Sequence, residues 1–200
     1  ETTAQMPLML QENYTLKLIE LLKQGEIDAA IMALPFPESG LMVRPLYDEP
    51  FVVALPRSHP WAERTQIDAS DLKQETMLLL GSGHCFRDHV LGVCPELMRF
   101  SQNADGIQKT FEGSSLETIR HMVASGVGIT VLPKTSVPET QAPDSLLRYV
   151  PFSAPVPDRR VVLAWRKSFT RLPAIEAVAQ AIARCHLPGV IPLDLPATSN

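Results

Sequence analysis

The chain has 200 residues, of which 45% are hydrophobic and 20% charged, and its formal net charge is −4. This composition is typical of a globular protein with one large domain or two small lobes, and its short apolar runs exclude a membrane span. Binding to nucleic acid through phosphates needs a clustered basic surface. We interpret Arg159-Arg160 and Arg166-Lys167 instead as solvated or salt-bridged pairs.

Cysteine usage and the first residues indicate the compartment. Residues 1–5 are polar without a basic flank, so no signal peptide is predicted and the expected location is the cytoplasm. An odd total of three cysteines does not fit a disulfide framework. Neither CxxC nor HExxH occurs, so we predict no metal site and no cofactor.

The first elements in chain order are a strand over residues 6–10, a helix over 15–24 and a strand over 27–33. Gly25 is expected to end the helix. A helix between two short apolar strands indicates an α/β fold and favours parallel pairing.

A second unit is predicted to begin near Pro50. Its expected elements are a strand over 51–55, a helix over 115–125 and strands over 127–132 and 146–150. The proline-rich residues 150–158 are interpreted as a connector, followed by a strand over 160–165 and a helix over 173–186. Cys185 follows the apolar spacing of that last helix, so we predict a buried, structural thiol.

Residues 81–95 carry the other two cysteines, Cys85 and Cys94. A short helix is predicted over 84–91, stopped by Gly92 and Pro95, with Cys85 in its first turn. The amides of a helix N-terminus, Arg87 and a protonated His84 all favour a thiolate. Peroxide oxidises a thiolate to a sulfenic acid, which a second thiol converts to a disulfide.

The spacing of this pair sets a geometric condition. Nine residues of continuous helix separate two positions by about 13.5 Å, whereas a disulfide needs Cα atoms within about 7 Å. A bond between Cys85 and Cys94 therefore requires the helix to unwind. The spacing alone favours a plainer hypothesis, two separate core thiols.

Residues 83–88, Gly-His-Cys-Phe-Arg-Asp, with Gly92 and Cys94 after them, resemble the peroxide-sensing motif GHCxRD…GxC of OxyR-type regulators in the LysR family. Four further stretches resemble LysR-type effector domains: GEIDAAI at 25–31, PLYDEP at 45–50, HPWA at 59–62 and SLETIRHMVASGVGITVLP at 115–133. Together with the motif, these stretches are distributed from residue 25 to residue 133.

The resemblance implies a type 2 periplasmic-binding-protein-like fold of two Rossmann-like subdomains joined by crossover strands. Residues 1–49 and 156–188 would form the first subdomain, without its first βα unit. Residues 50–155 would form the second subdomain, which carries the redox cysteines, and residues 189–200 a tail. By motif position, Cys85 is the peroxidatic residue and Cys94 the resolving one.

The resemblance also implies roles for neighbouring residues. His84, Arg87 and Asp88 belong to the motif. Thr15 matches a threonine that lies near the peroxide pocket in the family, and Arg160 matches an arginine that lies close to the peroxidatic cysteine. Plainer interpretations are that Thr15 begins its helix and that Arg160 is an exposed strand residue.

Two positions depart from the family pattern. Lys109 and Thr110 stand nearest to where some relatives carry a pocket histidine, which makes Thr110 a candidate pocket residue. His89 stands where glutamine is usual, four residues after Cys85, a spacing that allows contact on a helix.

The resemblance finally implies partners. Hydrogen peroxide would be the signal, and glutaredoxin or thioredoxin the reductant. The protein would be a cytoplasmic homodimer, tetrameric at full length, that binds DNA only through a winged helix-turn-helix absent from this chain, and no membrane is expected. Two alternatives stay open: a LysR-type module for a small organic effector, and a thiol peroxidase, which the lack of a PxxxTxxC motif disfavours.

Overall fold

A computed structural model describes residues 7–81, 84–94, 110–113 and 115–193. These form a mixed α/β fold with four α-helices, α1 Thr15–Gln24, α2 Cys85–Val93, α3 Leu116–Ala124 and α4 Leu172–Arg184. The strands are β1 Ala30–Ala33, β2 Leu41–Pro56, β3 Met77–Leu80, β4 Thr110–Gly113, β5 Thr130–Pro133, β6 Leu147–Pro151, β7 Asp158–Arg166 and β8 Ile191–Pro192.

The chain divides into two compact units. Among the described residues, the first unit runs to Asp48 and resumes over Arg160–Leu187 and from Ile191, while the second contains Glu49–Arg159 and residues 188–190. Both long boundaries fall inside strands, because β2 leaves the first unit after Asp48 and β7 enters it at Arg160.

In the first unit, β1 pairs with β7 in antiparallel orientation, from Ala30 opposite Ala164 to Ala33 opposite Val161. β8 pairs antiparallel with the part of β2 at Tyr47. The amphipathic helices α1 and α4 contribute to two apolar clusters beside these strands. The buried members are Ile19, Leu22, Ala30, Met32, Leu41 and Ala164 in one, and Ala33, Leu46, Val161, Leu163, Phe169, Ile175 and Ala179 in the other.

Two strand predictions for this unit are wrong. Residues 7–10 form no strand, and Leu8, Met9 and Leu10 are exposed; residue 6 lies outside the described part. A strand needs a hydrogen-bonding partner, and apolar character alone does not supply one. The parallel pairing expected for β1 is also wrong, because its partner β7 comes from a distant part of the chain and runs the other way.

In the second unit, the later part of β2 pairs antiparallel with β5 and β6, and β3 pairs with β4 in parallel. The backbones just before β3 and β5 also meet, because the amide of Ile129 donates to the carbonyl oxygen of Thr76 at 2.9 Å. A Cβ atom at Gly128 would lie 2.4 Å from the same oxygen, so only glycine fits there. β3 is wholly buried and packs against α2 and α3, so it forms the centre of this unit's core.

Candidate redox site on helix α2

Helix α2 begins at Cys85, one residue after the predicted start, and Cys85 lies in its first turn as predicted. His84 is its N-cap residue, with an extended backbone at φ −82° and ψ 118°, and the Arg87 amide donates to His84 O at 3.0 Å. Cys85 is half-buried. Its position in the first turn places it at the positive end of the helix, where backbone amides favour an anion.

The other end of α2 lies one residue before Cys94. Gly92, predicted to stop the helix, is inside it instead, because the helix continues to Val93; Pro95 lies outside the described residues. Cys94 is the C-cap residue, and its amide donates to Val90 O at 3.4 Å. Its side chain is only 1% exposed and belongs to the core cluster that includes Leu91.

Neither Cys85 nor Cys94 forms a disulfide. They lie at opposite ends of one helix, and the rise over nine residues separates them by about 13.5 Å. A disulfide needs Cα atoms within about 7 Å. This conformation therefore belongs to the dithiol form, and a bond between the two thiols requires α2 to be disrupted.

The remaining motif residues take different positions on α2. Arg87 points its guanidinium back to the sheet, where Nη1 donates to the carbonyl of Leu80 at 2.9 Å. Asp88 is exposed in the first turn, where a carboxylate is favoured by the helix dipole. The His89 ring lies near the rings of Phe51 and Phe86, with centroids 6.5 and 6.4 Å away.

Thr15 and Arg160 belong to the first unit, whereas Cys85 and Cys94 belong to the second. Thr15 is the first residue of α1 and is half-buried. Arg160 binds Asp48 through two hydrogen bonds of 2.8 Å, from Nε to Oδ1 and from Nη2 to Oδ2. These hydrogen bonds, more than the charge of Arg160 itself, hold the pKa of the Asp48 carboxyl below its usual value. The structure describes only the backbone of Thr110, as the first residue of β4; its side chain and all of Lys109 lie outside the described part.

Sequence reasoning missed a contact between Arg159 and helix α2. The guanidinium of Arg159 lies over the ring of Phe86, with Cζ 5.2 Å from the ring centroid, and it binds the buried carboxylate of Glu49. The signal in the sequence is the acidic pair Asp48-Glu49 together with the basic pair Arg159-Arg160, but nothing local assigns one pair to the other.

The prediction for Cys185 is wrong, because this thiol is exposed. Helix α4 ends at Arg184, and Cys185 is its C-cap with an extended backbone. The apolar spacing that predicted burial therefore stops one residue earlier. Its Sγ lies 3.3 Å from the carbonyl oxygen of Ala181.

Two searches restricted to the described residues were negative. No three side chains among His, Cys, Asp and Glu come together as a group that could hold a metal ion. None of the helices in this part of the chain has the length and apolar character needed to cross a bilayer.

The family described as the LysR substrate binding domain matches residues 4–185. The chain belongs to this family. The match confirms the predicted fold class, and the effector-domain resemblance read from the four sequence stretches is confirmed with it.

Relatives place this LysR substrate-binding domain among OxyR proteins. The structure of a reduced form of OxyR from N. meningitidis is 46% identical, covers 96% of this chain and 88% of that one, and has a TM-score of 0.88. A hydrogen-peroxide-bound mutant of OxyR from Corynebacterium glutamicum is 32% identical over 86% of this chain and 53% of that chain, with a TM-score of 0.73. The hydrogen peroxide-inducible genes activator of Pectobacterium carotovorum is 37% identical over 94% of this chain. The chain spans 60% of that relative's length.

Proposed function

We propose that this chain is the peroxide-sensing regulatory domain of a cytoplasmic transcription activator, with Cys85 as the sensing thiol and Cys94 as the resolving thiol. The observation that carries the proposal is the position of two thiols, neither of them in a disulfide, at the two ends of one helix. Two relatives support the signal, since one is named as an activator of hydrogen peroxide-inducible genes and the other was solved with hydrogen peroxide bound.

The chemistry consumes one peroxide and oxidises two thiols. The Cys85 thiolate attacks one peroxide oxygen, the O–O bond breaks, and the leaving hydroxide takes a proton to become water. The Cys94 thiol then loses its proton and attacks the sulfenic sulfur, which releases the second oxygen as water and forms the S–S bond. The two thiols supply both electrons that reduce the peroxide, so the reaction balances without a further reductant.

Disulfide formation converts the signal into a change of shape, because the thiols cannot meet while α2 is helical. We propose that the disrupted segment alters a homodimer of the regulatory domain, tetrameric at full length, and thereby reorients DNA-binding domains outside this chain. A dithiol protein of the thioredoxin or glutaredoxin class would restore the helix by taking over the disulfide. The protein reacts once per cycle as a sensor rather than turning over peroxide as an enzyme.

Roles for the other site residues belong to the same proposal. The half-buried position of Cys85 in the first turn of α2 supports activation of its thiol by the helix N-terminus, with His84, Arg87 and Asp88 around it on the same segment. Thr15, Thr110 and Arg160 are proposed as pocket residues on the resemblance alone. The second unit would be the redox-active subdomain and the first its partner subdomain.

Peptide mapping tests the central step. The dithiol protein is treated with stoichiometric hydrogen peroxide, digested without reductant and analysed by mass spectrometry. We expect a Cys85–Cys94 linked peptide, retained in Cys185→Ser and absent in Cys94→Ser, where Cys85 instead accumulates as sulfenic or sulfinic acid. Free thiols at both positions after peroxide treatment would contradict the proposal.

A second candidate is a module that closes on a small organic effector, with cysteines that play no part. The family's description as a substrate binding domain favours it. A full-length regulator carrying Cys85→Ser separates the two functions. Loss of the peroxide response is expected from the sensor, whereas a full inducer response in this variant would support the effector-binding module.

A further inference from the structure

A buried ion pair lies within the second unit. The Glu49 side chain is 1% exposed and that of Arg159 is 19% exposed. Nε and Nη2 of Arg159 both lie 2.7 Å from Oε2 of Glu49. The other carboxylate oxygen accepts hydrogen bonds from the amide and hydroxyl of Thr135. Thr135 thus fixes the Glu49 carboxylate, and two nitrogens of the guanidinium bind the remaining oxygen, which restrains the Arg159 side chain.

The guanidinium is aimed at the redox helix. Its Cζ lies 5.2 Å from the ring centroid of Phe86, within the range over which a cation is attracted to an aromatic face. The Phe86 ring is 6% exposed, and it also packs in edge-to-face geometry against Phe51, with centroids 5.4 Å apart. Phe86 is thus held by a ring contact and by a fixed cation.

Phe86 is the residue directly after Cys85, in the first turn of α2. Bringing the two thiols from about 13.5 Å to within about 7 Å requires this helix to be disrupted. Cys85 is half-buried whereas Cys94 is almost fully buried in the core, so we take the first turn to be the end of α2 that moves. That movement carries Phe86 away from Arg159.

We propose that Arg159 is a positioning residue for Cys85. Fixed by Glu49, it holds Phe86 and with it the first turn of α2 in the dithiol conformation, and it thereby sets how readily the disulfide forms. This inference rests on the proposed redox function, and it adds a residue outside the cysteine motif that controls the dithiol–disulfide equilibrium.

Two variants remove the contact in different ways. Phe86→Leu removes the aromatic face and leaves the Glu49–Arg159 pair intact. Arg159→Met alone would leave a buried carboxylate unpaired, which endangers folding. The paired change Glu49→Met with Arg159→Met removes both charges instead, and such replacements are often neutral for stability.

The dithiol–disulfide equilibrium is measured on the whole chain in buffers of reduced and oxidised dithiothreitol, with alkylation and mass spectrometry reporting the fraction bridged. In both variants the dithiol–disulfide equilibrium constant is expected to shift about fivefold toward the disulfide. The reason is that the contact between Arg159 and Phe86, which both variants remove, stabilises only the dithiol state. Hydrogen exchange in the dithiol protein is expected to be faster for α2 amides in both variants.

The matched control is Arg64→Met. Arg64 lies over the ring of Trp61 with Cζ 4.9 Å from the centroid, and it binds Asp71 at 2.9 Å. Arg64 combines a cation, a ring and a carboxylate in the same unit, and both of these partners lie outside α2. The redox equilibrium and α2 exchange of this variant are expected to match those of the unsubstituted protein.

The outcomes separate this inference from the proposed function. If the paired variant forms the disulfide with the same equilibrium constant as the unsubstituted protein, Arg159 does not position Cys85. A shift of equal size in Arg64→Met overturns the role of Arg159 too, because the effect would then be general destabilisation. If the unsubstituted protein forms no bridge, the proposed function fails, and α2 exchange alone decides whether Arg159 positions the helix.

Discussion

Asp48 and Arg160 form a two-point ion pair, with Nε and Nη2 of the guanidinium each 2.8 Å from a separate carboxylate oxygen. Asp48 lies on β2 and Arg160 on β7, at the positions where these strands change from one unit to the other. Their neighbours Glu49 and Arg159 form the second pair, inside the other unit. Two consecutive residues of β2 therefore form ion pairs with two consecutive residues of β7, one pair in each unit.

The ion pair of Asp48 and Arg160 makes the free energy of unfolding depend on pH. The hydrogen bonds from Arg160 lower the pKa of Asp48, so the stabilisation is complete above the ordinary carboxyl pKa and is lost as pH falls through the lowered folded value. Asp48→Asn is expected to lower the unfolding free energy by about 1 kcal/mol at neutral pH, a modest loss because Arg160 is half exposed. Urea unfolding between about pH 7 and about pH 3 measures both effects.

In the asparagine variant, the loss of stability on acidification is expected to be smaller than in the unsubstituted protein. Glu26→Gln, at an exposed carboxylate of the same unit, serves as the control. An identical acid dependence in Asp48→Asn and the unsubstituted protein would contradict the assignment.

The three thiols are expected to differ in accessibility. Cys185 is exposed and Cys85 half-buried, whereas Cys94 is 1% exposed. A maleimide applied to the dithiol protein should modify Cys94 at least about a hundredfold more slowly than the other two, because it reacts only when the core opens. Peptide mass spectrometry follows each site, and urea should remove the difference. Early modification of Cys94 would show that α2 opens freely without oxidation.

Strengthening α2 should oppose the disulfide. Gly92 is an exposed residue inside the helix, and a Cβ atom there would meet nothing within 4 Å. Alanine favours a helix over glycine by about 1 kcal/mol. Gly92→Ala is therefore expected to shift the dithiol–disulfide equilibrium about fivefold toward the dithiol.

The control for this variant changes helix propensity elsewhere. Ala183→Gly, at an exposed position of α4, weakens another helix by a similar amount. Its redox equilibrium should be unchanged. If Gly92→Ala has no effect either, disulfide formation leaves α2 intact and the proposed coupling is wrong.

Gly128 should tolerate no side chain. A Cβ atom there would lie 2.4 Å from the Thr76 carbonyl oxygen, which accepts a hydrogen bond from Ile129. Because both groups belong to the backbone, neither can move aside cheaply, and Gly128→Ala is expected to cost about 2 kcal/mol or more of unfolding free energy. Urea unfolding measures it, with Gly92→Ala as the unobstructed comparison. A midpoint equal to that of the unsubstituted protein would contradict the clash.

Helices were predicted better than strands for a physical reason. Helix hydrogen bonds join residues four apart, so apolar spacing and a glycine stop at Gly25 predicted the bounds of α1. A strand, in contrast, needs a hydrogen-bonding partner from another part of the chain. Apolar residues 7–10 therefore gave a false strand, and β1 was found without its antiparallel partner β7.

The candidate site divides in the same way. The motif around Cys85 and the spacing to Cys94 are local, and they predicted a thiol at the first turn of a helix. Burial depends on what packs against a segment. Cys185 was predicted buried and is exposed, because α4 ends before it.

By itself, the sequence determined the family, the fold class and the two cysteines that one short helix must separate, since all of these depend on neighbouring residues and recognisable motifs. Only the tertiary structure decided that Arg159 reaches Glu49, 110 residues away in the chain, and lies over Phe86 beside the proposed sensing thiol. No local pattern encodes such a contact, because it exists only after strands far apart in sequence have paired and buried the carboxylate between them.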